Sequence, residues 1–324
     1  MKKIIATVAL LVVGILSATA YAAEVKQLRF MAGPPGGSWA ALGPALCDIW
    51  TKEVLSSTSS TGGGVANIMN ANTGKGDFGF SVTSIMGAAL LGEEDFKDRP
   101  ANNVVIMSNL YSKYTYFIAR KDYADKHGIK SLGDIISKKL PVRFATLKTG
   151  TASEFVVNAL FKIGYGIDYK KVIKDNGGSV EYASYEGGAD LMADNHIDIF
   201  GFSVGKIASI VMNIESNTNV VILPVDDDAL NKLSKAYGTV TLTIEPGIYK
   251  SVTKPVKTVG DYDCIVIRKD LPKDLVFKLN QAMWKNKKSL VSAVKDMEEL
   301  TPQNALPAGL PVHEGSKEFW GSVK

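Results

Sequence analysis

Four short stretches rich in Gly, Ser and Thr stand directly ahead of helix-like sequence: Gly36-Gly37-Ser38-Trp39, Thr61-Gly62-Gly63-Gly64, Thr149-Gly150-Thr151 and Phe202-Ser203-Val204-Gly205. The first turn of a helix leaves backbone N–H groups unbonded, with the positive end of the helix dipole behind them, and so favours an anion. Ser and Thr hydroxyls add donors, and glycine lets a ligand approach the backbone closely. Thr151 and Glu154 stand at capping-box spacing. Capping alone explains any single turn of this kind. Four of them, two in each half of the chain, point to a cleft that holds a carboxylate. Ser81 and Thr83, where the strand-like Phe78–Val82 gives way to a helix, join the candidate set. Lys148 and Lys206, beside the third and fourth turns, are candidates for a charge-assisted bond to a second carboxylate.

Signs of catalysis are missing. His127, His196 and His313 are scattered and lack zinc-ligand spacing, and the sequence holds no nucleophile elbow, Walker loop or dinucleotide fingerprint. Glu93-Glu94-Asp95, Asp226-Asp227-Asp228 and Glu298-Glu299 sit in polar contexts and read as solvated faces or helix N-terminal charges. Ser38 has no evident base. No metal, nucleotide or other cofactor is expected.

The elements that must position these turns alternate strand and helix, the pattern of parallel sheets with helices on their faces. Lys26–Ala32, Phe78–Val82, Asn103–Leu110 and Tyr114–Arg120 read as strands, with amphipathic helices over Trp39–Trp50 and from Val65. A second series runs from Ile129 through Val142–Ala145, Val180–Ala183 and Ile197–Phe202 to Val220–Pro224. Asp261–Arg268 is a later strand, followed by one long helix carrying Leu275 to Val294, and a Pro- and Gly-rich tail over 296–315. The order predicts two α/β lobes, lobe I from 23–127 plus 223–324 and lobe II from 128–222, with the ligand between them.

With 324 residues, 46% of them hydrophobic and 22% charged, the composition is that of a globular protein large enough for two cores. The formal charge of +4 is unaccompanied by an arginine-rich run, which argues against nucleic acid as a partner. Lys2-Lys3, the apolar stretch Ile4–Leu16 and the small residues Ala20 and Ala22 form a secretory signal peptide, cut after Ala22 or Ala23. A periplasmic, monomeric protein is expected. Cys47 and Cys264 allow one disulfide, but both lie in apolar runs and read as buried free thiols.

The order of these pieces resembles the TAXI solute-binding proteins, receptor subunits of TRAP transporters, over residues 25–320. The resemblance rests on Gly36 to Pro44, Thr61 to Ile68 followed by Gly76 to Phe80, Leu110-Tyr111, Ile129 to Ile135, Thr149-Gly150-Thr151, Ile197 to Phe202, Pro246 to Tyr249 and Arg268 to Pro272. It implies a periplasmic-binding-protein fold of type II and capture of a small organic anion: a dicarboxylate, a 2-oxo acid or an acidic amino acid such as glutamate. It also implies delivery to integral-membrane TRAP subunits, and Tyr111 as a cleft hydroxyl. A sensor-associated binding protein that signals to a membrane kinase is the alternative, and an exported enzyme on the same bilobal shape a further one. The chain departs from the family at Pro34-Pro35, where Thr-Gly is usual, and at Gly64, where Ser is usual. Those positions bear on the ligand and not on the fold.

Overall fold

The computed structural model describes residues 25–323; the signal segment expected at 1–22 lies outside them. β1 (Leu28–Met31) leads into α1 (Ser38–Glu53), β2 (Ser57–Ser60) into α2 (Gly64–Asn72), and β3 (Phe78–Val82) into α3 (Thr83–Leu91). A 17-residue strand, β4 (Val104–Arg120), follows with α4 (Lys121–His127) and α5 (Asp134–Ser137). The second series comprises β5 (Arg143–Leu147), α6 (Ala152–Ala159), α7 (Tyr169–Asp175), β6 (Ser179–Ala183), α8 (Tyr185–Ala193) and β7 (Ile199–Gly205). Then come α9 (Ser209–Asn217), β8 (Val220–Ile222), α10 (Asp227–Tyr237), β9 (Val240–Ile244) and the 13-residue β10 (Val256–Arg268). Helices α11 (Lys273–Lys285), α12 (Lys287–Ala293) and α13 (Glu314–Ser322) complete the chain.

The two series are built alike. β1 pairs in parallel with β2 and β3, and β5 pairs in parallel with β6 and β7, so each half has its first strand in the middle. β10 lies antiparallel to β3, and β4 lies antiparallel to β7. The long strands β4 and β10 pair with each other and join the halves into one sheet, ordered β2-β1-β3-β10-β4-β7-β5-β6. Two strands had been expected where β4 runs unbroken. Tyr111-Ser112-Lys113 stays in the ladder, opposite Asp263, Tyr262 and Asp261 of β10, and the pairing is irregular only at the register shifts between Asp263/Cys264 and Ile265/Val266.

Each half carries the same clamp. Asp77, just before β3, accepts the backbone N–H of Arg29 at 2.8 Å, and its carboxylate also takes Arg29 Nη2 at 3.0 Å and Arg268 Nη1 at 3.1 Å. Asp198, just before β7, accepts the backbone N–H of Arg143 at 2.8 Å and Arg143 Nε at 3.1 Å. In each case an aspartate at the start of the third strand fixes the register of the first. Phe30 anchors the first core, with Phe78 and Phe80 edge-on at 4.9 and 4.6 Å between ring centres. A second cluster gathers Tyr116, Phe200 and Phe202. Ile244, Tyr249 and Val252, assigned from the sequence to lobe I, pack in this second cluster.

Two further expectations change, the single C-terminal helix and the fourth helix-opening turn. The long C-terminal helix is two helices, divided at Asn286, whose Nδ2 donates to Ala282 O at 2.8 Å. The tail is fastened to β4 by Asn109 N–H to Ala305 O at 2.7 Å and Ile106 N–H to Pro311 O at 2.9 Å. Phe202-Ser203-Val204-Gly205 does not open a helix: it is the end of β7, and α9 starts at Ser209. Four apolar or small residues in sequence satisfy their backbone in the sheet as readily as at a cap. Cys47 and Cys264 are both buried free thiols, as expected.

Burial pushes the Asp77 carboxyl up, but the hydrogen bonds from Arg29 outweigh it and hold it below its ordinary value. A depressed folded value stabilises above the unfolded value and is lost as pH falls through the folded one. Asp77→Asn is therefore expected to cost about 1–3 kcal/mol at pH 7, with the penalty shrinking below about pH 4. Denaturant unfolding of both proteins at pH 7 and pH 3 checks this; an equal penalty at the two pH values would refute it.

Candidate ligand-binding cleft

The loop after β1 is brought against the second half of the chain. Gly36 has φ +84°, a left-handed conformation that favours glycine, and its Cα faces the exposed Glu186 carboxylate of the other half, which a Cβ there would displace. The loop delivers Ser38 and Trp39 to the start of α1, whose N-cap, Gly37, supplies no side-chain cap. From the other half, α6 begins at Ala152 behind Thr151, whose Oγ1 accepts the Glu154 N–H at 3.2 Å and donates to Lys148 O at 2.7 Å. Thr151 thus takes one of the first-turn donors and leaves those of Ala152 and Ser153.

Between the two helix N-termini lies Lys113, on β4 and 5% exposed. Its Nζ donates to Asp263 Oδ1 at 2.9 Å and Oδ2 at 3.3 Å, and stands 4.1 Å from the centre of the Trp39 ring. An ammonium has three N–H donors, so one remains. Tyr111 is fully buried beside it and shares a 3.0 Å hydrogen bond with Ser38 Oγ. Burial, and then the charge of Asp263, raise the Tyr111 phenol well above its ordinary value, so it stays a neutral hydroxyl. Trp39 Nε1 is buried without a partner at hydrogen-bonding geometry.

Polar groups on the far wall are mutually satisfied. Ser153 Oγ accepts the Ser203 N–H at 2.9 Å and donates to Ser203 O at 3.2 Å; Tyr185 OH donates to the same carbonyl at 3.0 Å. Thr115 Oγ1 and Ser203 Oγ bond at 2.8 Å. The enclosed space between Ser38, Trp39, Lys113, Ser153 and Tyr185 is about 10 Å³, room for about one water. A second space of about 260 Å³ shares Gly37, Ser38 and Val204 with it and reaches Lys295 and Asp296. The two halves are closed on each other: a Cβ on Gly63 would lie 2.6 Å from Gly150 O, and the Ala66 N–H reaches that same carbonyl at 3.4 Å. Among the described residues no cluster of three or more metal-ligating side chains occurs, and no helix is long and apolar enough to cross a membrane.

Residues 30–321 match the NMT1-like family. The chain belongs to that family. No curated protein matches it. MatC from Rhodopseudomonas palustris with bound malate is similar in structure, with a TM-score of 0.51 and 15% identity over 87% of this chain and 90% of that one. The periplasmic binding protein BugD is similar at a TM-score of 0.51 and 11% identity, over 84% of this chain and 86% of that one. The NMT1-like chain thus has the two-lobed α/β fold of periplasmic binding proteins.

Within the NMT1-like fold, the sequence-derived candidates separate. Gly36, Gly37, Ser38, Trp39, Thr151 and Val204 line the two spaces, and Tyr111 is bonded to Ser38. Ser203 stands behind the wall in the hydroxyl network, while Phe202 is in the second core. Gly63, Gly64, Thr149 and Gly150 belong to the loops that shut the halves together, and Thr61 is exposed. Ser81 donates to Gly64 O at 3.1 Å, and Thr83 to Asp261 Oδ1 at 2.6 Å, so both are used up in the scaffold. Lys148 is exposed, and Lys206 offers its backbone carbonyl to Tyr116 and Tyr249; neither side chain lines either space. Lys148 precedes its turn by one residue and Lys206 follows its turn by one, and adjacency along the chain brings neither side chain into the space beside its turn. The sequence reading missed Lys113, Ser153, Tyr185 and Asp263. It also missed Asn67, whose buried amide takes the Gly63 N–H at 3.1 Å and donates to Met31 O at 2.9 Å and Phe80 O at 2.8 Å. A lysine amid the aromatic strand Tyr111–Phe117 was the available signal for the first of these.

Asp296, at the edge of the larger space, is pushed up to about 6 by burial and then by the charge of Glu299. The folded protein therefore keeps a proton between about pH 4 and 6 that the unfolded chain releases, so stability falls as pH rises through that window. Asp296→Asn removes this cost. The variant is expected to melt higher than the parent at pH 7.5 and level with it near pH 4; a difference independent of pH would count against the assignment.

Proposed function

We propose that this protein is an extracytoplasmic solute receptor that captures a small organic anion between its lobes and hands it to integral-membrane subunits of a TRAP-type transporter. The observation that carries this reading is the convergence of α1, α6 and Lys113 on one enclosed space. Two helix N-termini present N–H donors from opposite lobes, and the single charged residue lining the tight space among the described residues is a lysine with a spare N–H. A carboxylate fits that donor set. Malate bound to MatC supports an organic acid, whose body would extend from this donor set toward the adjoining space of about 260 Å³ as the lobes part. No nucleophile with a base accompanies Ser38, whose hydroxyl pairs with a neutral tyrosine. Capture without turnover follows.

Under this reading the lobes move as bodies about β4 and β10, the two strands that pass between them, with their register shifts as the flexing points. The described form is closed, and opening must part Gly63 from Gly150 and Gly37 from Tyr185. The membrane partner distinguishes the closed, loaded receptor from the open one.

Calorimetry of the exported protein with malate, succinate, 2-oxoglutarate and glutamate tests the reading, with saturable binding of at least one expected. The double variant Lys113→Met, Asp263→Asn leaves no buried charge alone and removes the charge-assisted bond, a loss of about 1.5–3 kcal/mol or roughly one to two decades in affinity. Lys148→Met and Lys206→Met are expected to stay within a factor of about two of the parent, since both side chains lie outside the enclosed spaces. Wild-type affinity in the double variant would remove Lys113 from the site.

A further inference from the structure

A cavity of about 500 Å³ shares no lining residue with either inter-lobe space. Its walls are α3, the end of α10, the crossing strands β4 and β10, and the tail segment 304–310. None of its lining residues carries a charge. Leu91, Leu306, Pro307 and Leu310 give it an apolar body, with Leu91 at the rim 65% exposed. Two carboxylates are held by lining residues, and both are engaged: Asp261 by the hydroxyls of Thr83 and Ser84 and by the Ser84 N–H, and Glu94 by the Tyr237 hydroxyl at 3.0 Å and by Lys162 Nζ at 2.9 Å.

One polar group in it is unanswered. Asn109 lines the cavity, is only 7% exposed, and its Oδ1 is buried with no hydrogen-bond partner. Buried amides are nearly always satisfied, so such an atom calls for an explanation. The surroundings are otherwise well ordered: the Asn109 backbone N–H holds Ala305 O, and Asn304 closes its own turn by taking the Thr301 N–H at 2.8 Å and giving to Glu299 O at 2.7 Å. The tail is therefore fastened where it forms the wall, and the space is preformed. Its volume falls in the range of small-molecule sites.

We propose that this cavity is a second binding site, distinct from the inter-lobe cleft, for a small neutral molecule with an apolar body and a hydrogen-bonding head, such as a carboxamide, placed at Asn109. Neutrality follows from the lining: a charge taken into an uncharged apolar space loses its water and finds no partner. A hydrogen-bonding head follows from Asn109: its Oδ1 is closed off from the cavity without a partner, which leaves the rest of the amide to meet a ligand, and a carboxamide can pair with an amide presented in either orientation.

Hexanamide is the probe. Methyl-labelled protein titrated with it is expected to show saturable shifts at Leu91, Leu306 and Leu310, whereas hexanoate and hexylammonium bind at least about tenfold more weakly. Asn109→Leu is expected to lose about tenfold in hexanamide affinity. Gly87→Leu tests the same site without touching the strand. A Cβ at Gly87 meets only Tyr237 O, at 3.8 Å, so the larger side chain fits and fills the cavity, and binding is expected to vanish. Absence of saturation in the parent protein, or undiminished binding in Gly87→Leu, overturns the site. Equal affinity for hexanoate or hexylammonium overturns the neutral class.

Discussion

The ion pair between Lys113 and Asp263 ties together the two strands on which everything else is hung. Both groups are almost wholly removed from water, where a charge without its partner is unsupported. Burial pushes Asp263 up to about 6 even against the attraction of Lys113. The pair is thus expensive to place and is sustained by its surroundings: Trp39 lies under the ammonium, and Tyr111 lies alongside. A hydrophobic pair would hold β4 to β10 at less cost. What it would not do is leave a spare N–H at the meeting point of two helix N-termini.

The repeated clamps of Asp77 with Arg29 and of Asp198 with Arg143 show how the lobes obtain a common shape from different sequences. In both, a carboxylate entering the third strand binds the backbone and guanidinium of the residue that starts, or nearly starts, the first. Register in a parallel sheet decides which residues emerge at the carboxyl ends of the strands. Those ends carry the turns of 33–38 and 148–151. Fixing the register at one edge therefore sets the approach of the two helix N-termini at the other.

Charge is distributed unevenly between the two kinds of cavity. The inter-lobe spaces contain Lys113, Lys295 and Asp296, while the cavity behind α3 contains none. Electrostatic preorganisation suits capture of an anion; an uncharged apolar wall suits a neutral body. The tail is hydrogen-bonded to β4 at Ala305 and Pro311, and its residues 304–310 wall the second cavity.

The strand–helix alternation, the Gly36-Gly37-Ser38 loop and the Thr151 cap could be read from the sequence because each depends on interactions within a few residues. Hydrophobic period, glycine content and capping chemistry are local. The fourth turn failed because Phe202–Gly205 is compatible with either a cap or a buried strand, and pairing with Lys113–Tyr116 of β4 decides for the strand. For Lys113 the sequence offers one sign, a lysine amid the aromatics of Tyr111–Phe117, but not its place between the lobes. Lys148 and Lys206 adjoin their turns in sequence, but adjacency along the chain says nothing about which way a side chain points. Lys113 lies at the site because its partner, Asp263, sits 150 residues away on a strand that becomes its neighbour only when both lobes have folded.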